Sequence, residues 1–213
     1  KNYNIVDQTT TTANINKATI TISGITADNK TYDTYQTATV STAGIVYGGL
    51  LAGDTVTISS STGSFVDANA GNSKTVNLTN TYIGASKKNY NIVDQTTTTA
   101  NINKAHLTVT ANDAVKTYGD SNPSLSTTVS GFVLGQNLAS SDVTGSGVAT
   151  TTATQSTGAG TATITAAVGS LASNNYDFTT FVPGTLTINK AHLTVTANDA
   201  VKTYGDSNPS LST

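Results

Sequence analysis

Two stretches of this chain occur twice without a single change, and that repetition limits what it can fold into more than any other feature. Residues 1–18 (KNYNIVDQTTTTANINKA) recur at 88–105, and residues 105–127 (AHLTVTANDAVKTYGDSNPSLST) recur at 191–213. Self-similarity at a fixed spacing is the mark of tandem modules. Lys17, Lys104 and Lys190 hold the same place in successive repeats, which sets the periods at 87 and 86 residues. The chain therefore reads as the tail of one module (1–17), two complete modules (18–104 and 105–190) and the head of another (191–213). Such a chain is expected to be a window on a longer filament. The end pieces are too short to be modules. They are expected to dock on a neighbour, to stay loose, or to be completed by other chain.

The complete modules are related but distinct. Each opens on an alternating run, Ala18-Thr19-Ile20-Thr21-Ile22 or His106-Leu107-Thr108-Val109-Thr110. Each continues into a Lys-Thr-Tyr segment read as a turn, at Lys30-Thr31-Tyr32-Asp33 and Lys116-Thr117-Tyr118-Gly119-Asp120. Each ends on an Asn-Tyr strand, at Asn89-Tyr90 or Asn175-Tyr176, and a closing run into Asn-Lys-Ala. Period-two alternation predicts strands, and Gly, Ser and Asn clusters between short runs predict turns. Thr makes up about a fifth of the chain; it is β-branched and suits a pleated strand. An all-β fold of small tandem modules follows, either sandwich-like or β-grasp-like, with residues 135–140 the best place for one helical turn.

Composition excludes several functions. The ten basic residues are all Lys, scattered except for the pair Lys87-Lys88, and the net charge is −2. Nucleic-acid binding needs clustered cations, so no nucleic-acid partner is expected. No apolar run approaches the ~20 residues that span a bilayer, so a membrane-embedded chain is not expected. With no Cys, disulfides and zinc–thiolate sites are ruled out.

The motifs resemble known families. The first complete module resembles the YDG-type repeat of large bacterial adhesins, through Lys30-Thr31-Tyr32-Asp33, Gly53-Asp54, the Phe65-to-Gly71 stretch and Asn89-Tyr90. It departs at Thr34, where that family usually has Gly, which allows a different turn there. The second resembles the MBG (YGX) type, through Leu107-Thr108-Val109-Thr110, Lys116-Thr117-Tyr118-Gly119-Asp120, Ser130-Gly131-Phe132, Asn175-Tyr176-Asp177-Phe178 and the run into Asn189-Lys190. The resemblance implies a secreted or cell-surface, extracellular stalk of a filamentous-haemagglutinin-like adhesin, serving adhesion or a biofilm matrix. Its implied partners are neighbouring modules of the same long chain and sibling chains in a fibre. A glycan or host receptor is the alternative partner.

The junctions carry the physical argument. No Gly, Ser or Pro linker separates Ile15 from Ile20, Ile102 from Leu107, or Ile188 from Leu193. Ile102 has the opposite parity to Leu107 and Val109, and Ile188 the opposite parity to Leu193 and Val195. Side chains of equal parity share a face of a strand. One extended segment would therefore turn one face to the core behind it and the other to the core ahead. That predicts a stiff rod joined end to end by continuous strands, each module adding on the order of 35–40 Å. Lys17, Lys104, His106, Lys190 and His192 are the structural junction residues.

Candidate sites compete with plainer roles. His106 and His192 lie a module apart, so a junction contact is preferred to a metal site, which needs converging ligands. Tyr32, Tyr118 and Tyr204 could stack on a sugar, but packing beneath a loop is preferred. Asp33, Asp120 and Asp206 could bind Ca2+, but no calcium-loop pattern surrounds them, and Asp beside Gly, Ser or Asn is ordinary turn chemistry. No cofactor and no catalytic set is expected, and the chain is read as a non-enzyme.

Overall fold

The computed structural model describes residues 2–213. The chain gathers into two compact units. The first runs up to His106 and also takes in Phe132–Val143 and Ala172–Asp177; the second holds Leu107–Gly131, Thr144–Leu171 and Phe178–Thr213.

The first unit is built from β1 (Ala18–Ser23), β2 (Thr26–Ala27), β3 (Lys30–Thr31), β4 (Thr37–Ala38), β5 (Val40–Ser41), β6 (Val46–Gly48), β7 (Thr57–Phe65), β8 (Gly71–Ile83), β9 (Tyr90–Val93) and β10 (Thr97–Asn103). A three-stranded sheet has the order β6-β1-β9, a five-stranded sheet β3-β10-β8-β7-β4, and β2 pairs with β5. The alternation seen in the sequence decides which side is buried. In β1, Ile20 and Ile22 are buried while Thr19 and Thr21 are exposed. Phe65, Val76, Leu78, Tyr82, Ala100 and Ile102 supply the apolar side of the larger sheet, and Ile25 and Val56 join the core from loops.

The remaining strands are β11 (Ala105–Ala111), β12 (Ala114–Thr117), β13 (Thr127–Ser130), β14 (Val148–Thr151), β15 (Gly160–Ala167), β16 (Tyr176–Val182) and β17 (Gly184–Asn189). They form sheets β13-β11-β16 and β12-β17-β15-β14. Among the described residues the only helical pieces are 3-10 turns at Lys87–Asn89 and Val133–Gly135. In the stretch 135–140, where one helical turn is expected, that 3-10 turn is followed by a single hydrogen-bonded turn at residues 137–141. Asn137 Oδ1 accepts the Ala139 N–H at 2.8 Å and its carbonyl accepts Ser141 N–H at 2.9 Å. The Ser141 bond has the four-residue span of an α-helix, and the Asn137 side chain caps its start.

The two modules share a register that their sequences do not make obvious. β3 runs parallel to β10, with Lys30 opposite Ile102 and Thr31 opposite Asn103. β12 runs parallel to β17, with Lys116 opposite Ile188 and Thr117 opposite Asn189. Gly71 opposes Ile102, and Gly160 opposes Ile188. Tyr32 N–H donates to Asn103 O, and Tyr118 N–H to Asn189 O, both at 2.8 Å. The Lys-Thr pair read as a turn is thus a short strand, because its backbone completes the closing strand, and the turn begins after the Tyr.

In that turn Thr34 sits at φ 70°, the left-handed conformation that Gly takes without steric cost. Asp33 holds it: its Oδ1 accepts Tyr35 N–H at 2.9 Å and the Lys30 ammonium at 2.8 Å. In the second module Gly119 takes the positive φ, at 93°.

The repeated sequences are a built-in control on what makes the strands. Residues 88–105 hold β9 and β10, whereas residues 2–17 are exposed and carry no strand. Ile102 is 1% exposed and its copy Ile15 is 99% exposed; Leu107 is 0% exposed and its copy Leu193 is 94% exposed. Identical local propensity gives a strand only where a module supplies a partner and a core. Thr34→Gly is expected to stabilise the first unit by about 1 kcal/mol, by removing the left-handed strain on a β-branched residue. The urea midpoint should rise at unchanged m-value.

Candidate functional site at the Lys104 junction

The chain passes from β10 to β11 through a single residue outside either strand, Lys104. Before it the buried positions are even, Ala100 and Ile102; after it they are odd, Ala105, Leu107, Val109 and Ala111. The parity reversal read from the sequence is a reversal of burial, achieved in one residue. The strand is therefore interrupted at Lys104 rather than continuous, because one backbone unit must leave the β10 ladder before the next joins a different sheet.

Lys104 is exposed, and its Nζ donates to Ser173 O at 2.8 Å. Next to it Ala105 N–H donates to Asn175 O at 3.0 Å. Asn175 is the centre of the junction. It is 5% exposed, its Oδ1 accepts Ala70 N–H at 2.8 Å, and its Nδ2 donates to Asn69 Oδ1 at 3.1 Å. Asp142 fixes the turn that presents it: Oδ2 accepts the N–H groups of Asn174 (2.7 Å) and Asn175 (3.1 Å), and Oδ1 accepts the Ser173 hydroxyl at 2.7 Å. A buried carboxamide with both ends bonded costs little, and unpairing either end is expensive.

Tyr176 adds the apolar anchor. Its ring is 1% exposed and meets Tyr32 edge-on at 5.3 Å between centroids and Phe132 at 5.5 Å. T-shaped aromatic pairs at this spacing are favourable beyond their buried area. The hydroxyl donates to Gln136 Oε1 at 2.6 Å and accepts Val133 N–H at 3.2 Å. Burial, above all, raises the phenol's pKa. Tyr32, a candidate for sugar stacking, is 8% exposed and spends its ring on this contact; Tyr118 is 47% exposed.

Beside these contacts lies a polar groove of about 540 Å3, lined in part by Asn72, Asn103, Lys104, His106, Asn174 and Asp177. His106 Nδ1 stands 2.5 Å from Asp177 Oδ1. Among the described residues, no group of three or more His, Cys, Asp or Glu comes together. The other junction residues, Lys17, Lys190 and His192, are exposed and lie outside strands.

Motif residues of the first module converge in ways that spacing alone did not reveal. Asp54 of the Gly-Asp loop accepts the Tyr90 hydroxyl at 2.5 Å and the Ser86 hydroxyl at 2.8 Å. Those two bonds, Tyr90 first, hold its carboxyl below the usual range. Asp67 pairs with Lys74 at 2.6 Å, and Lys30 lies 5.4 Å from the centre of the Phe65 ring. In the second module Lys116 is buried, and its Nζ donates to Thr154 O at 2.7 Å and Asp120 O at 3.2 Å. A Lys in a segment read as a turn gave no sequence signal of burial. These contacts pin loops to strands.

The model for the YDG domain matches residues 16–100, and that for the MBG domain (YGX type) matches residues 107–187. No curated protein and no solved structure matches the chain. Asn175→Ala strips the acceptor from Ala70 N–H and the donor from Asn69. It is expected to cost about 2 kcal/mol, read as a lower urea midpoint with loss of protection at the Ala70 amide.

Proposed function

We propose that this chain, which carries a YDG domain and an MBG domain in tandem, is a length-giving, stiffening segment of a secreted or cell-surface bacterial adhesin. Domains of both families are found in adhesin-like surface proteins, and neither family is enzymatic. In this reading the modules hold a more distant binding element away from the cell or build a matrix fibre. They carry out no chemistry themselves.

The observation that supports it is the economy of the junction. A flexible linker is rich in Gly and Ser and leaves its backbone in water. Here one exposed residue separates two runs of buried apolar side chains, and Asn175 and Tyr176 close over the Ala70 loop and Tyr32. A spacer needs resistance to bending along its length, and in this reading the aromatic and carboxamide contacts within the first unit contribute to it. No helix among the described residues is long and apolar enough to cross a membrane.

Small-angle scattering tests the proposal. A compact globule of this length would have a radius of gyration of about 17 Å. The stalk reading expects a value well above that, with a linear cross-sectional region of the kind rods give. A compact value, or a profile of freely jointed bodies, would contradict it.

A further inference from the structure

The face that receives Asn175 and Tyr176 in the first module has a counterpart in the second. Register defines the correspondence. Ile102 opposes Gly71 and Ile188 opposes Gly160, so Ala159 stands where Ala70 stands and Gly158 where Asn69 stands. Tyr118 stands where Tyr32 stands, each donating its N–H to the matching closing-strand carbonyl. Lys190 and Ala191 correspond to Lys104 and Ala105.

The two faces differ in cover. In the first, Tyr32 is 8% exposed, Ala105 is 5% exposed and Ala70 N–H is taken by Asn175. In the second, Tyr118 is 47% exposed, and Gly158, Ala159 and Ala191 are all exposed. A hollow of about 410 Å3 lies there, lined by Tyr118, Gly158, Ala159, Lys190, Ala191 and Leu193. Its walls are a Tyr ring, small residues and a Leu, with one ammonium at the rim. Gly in place of Asn69 opens the approach to the Ala159 amide. An exposed ring beside small apolar residues is the usual form of an anchor pocket.

What fits such a face is visible in the chain itself: a second aromatic ring presented edge-on, and a carboxamide next to it in sequence that accepts the loop amide. We propose that the Tyr118 face is a docking site for the Asn-Tyr edge of another MBG-type module, one of the kind whose opening sequence residues 191–213 repeat. The counterparts of Asn175 and Tyr176 in that module would bond Ala159 N–H and pack on the Tyr118 ring. The counterpart of Ser173 O would take the Lys190 ammonium. This rests on the stalk reading and adds the interface by which one joint is closed. It also gives Tyr118 a use other than sugar stacking.

The test extends the full chain after Thr213 with a second copy of residues 128–190, which completes the module sequence begun at Ala191. Hydrogen exchange at the Ala159 amide is compared with and without the extension. The expected result is exchange slowed by roughly tenfold or more in the extended chain. Tyr118→Ala should lose that slowing, and the same substitution should leave Ala159 exchange unchanged in the unextended chain, where the ring is half exposed. Equal exchange at Ala159 in both chains, with the extension folded, would overturn the proposal. So would an extension that stays disordered, since the face would then contribute nothing to holding it. If an N-acetylglucosamine trimer slows Ala159 and the extension does not, the face is a sugar site and the proposal is wrong. The stalk reading is judged separately, by scattering from the unextended chain.

Discussion

One extended segment has to serve two cores, and the rest of the structure follows from how it does so. Side chains on a strand alternate, so a strand that kept one buried parity would leave the next module's apolar face in water. The chain answers with a change of parity at Lys104, from Ala100 and Ile102 to Ala105, Leu107, Val109 and Ala111. A charged, exposed residue at the crossing suits this arrangement, because neither core asks for its side chain. The reversal is made in one residue. Asn175 and Tyr176 pack beside it within the first unit, with the carboxamide satisfied at both ends and the ring held between two others.

The duplicated sequences show how little of this is local. Tyr3 is 94% exposed while its copy Tyr90 is 4% exposed, and Val195 is 76% exposed while Val109 is 0% exposed. Burying one Val or Ile is worth about 1.5–3 kcal/mol, and fixing each residue's backbone costs about 1–2 kcal/mol. Alternate residues of a strand must therefore be covered on at least one face before the strand is stable. The complete modules meet that condition and the end segments do not. Stability in such arrays is a sum of module and neighbour terms.

Sequence reading recovered the features that alternate. The strands came from period-two runs, and the parity reversal from the positions of Ile102 and Leu107. It did not recover pairings between distant strands. The parallel partnership of Lys30-Thr31 with Ile102-Asn103 joins residues far apart in the chain, and alternation carries no information about partners. The same limit hid Asp54 under Tyr90 and the carbonyl cage of Lys116, since a motif fixes residue types and leaves the fold to decide which of them meet. Thr34 shows the converse. Its side chain disfavours a left-handed turn, and the bonds of Asp33 to Tyr35 N–H and Lys30 impose one nonetheless.

The rest turns on Asn175 being held in place within the first unit. The most direct measurement is native-state hydrogen exchange at the amides of Ala70 and Ala105, whose acceptors are the side chain and the backbone carbonyl of Asn175. The account predicts that both exchange as slowly as core amides such as Val109, through opening of a whole unit. Exchange as fast as that of the exposed residues 2–17 would mean that Asn175 is not held there, and the account of the joint would be wrong.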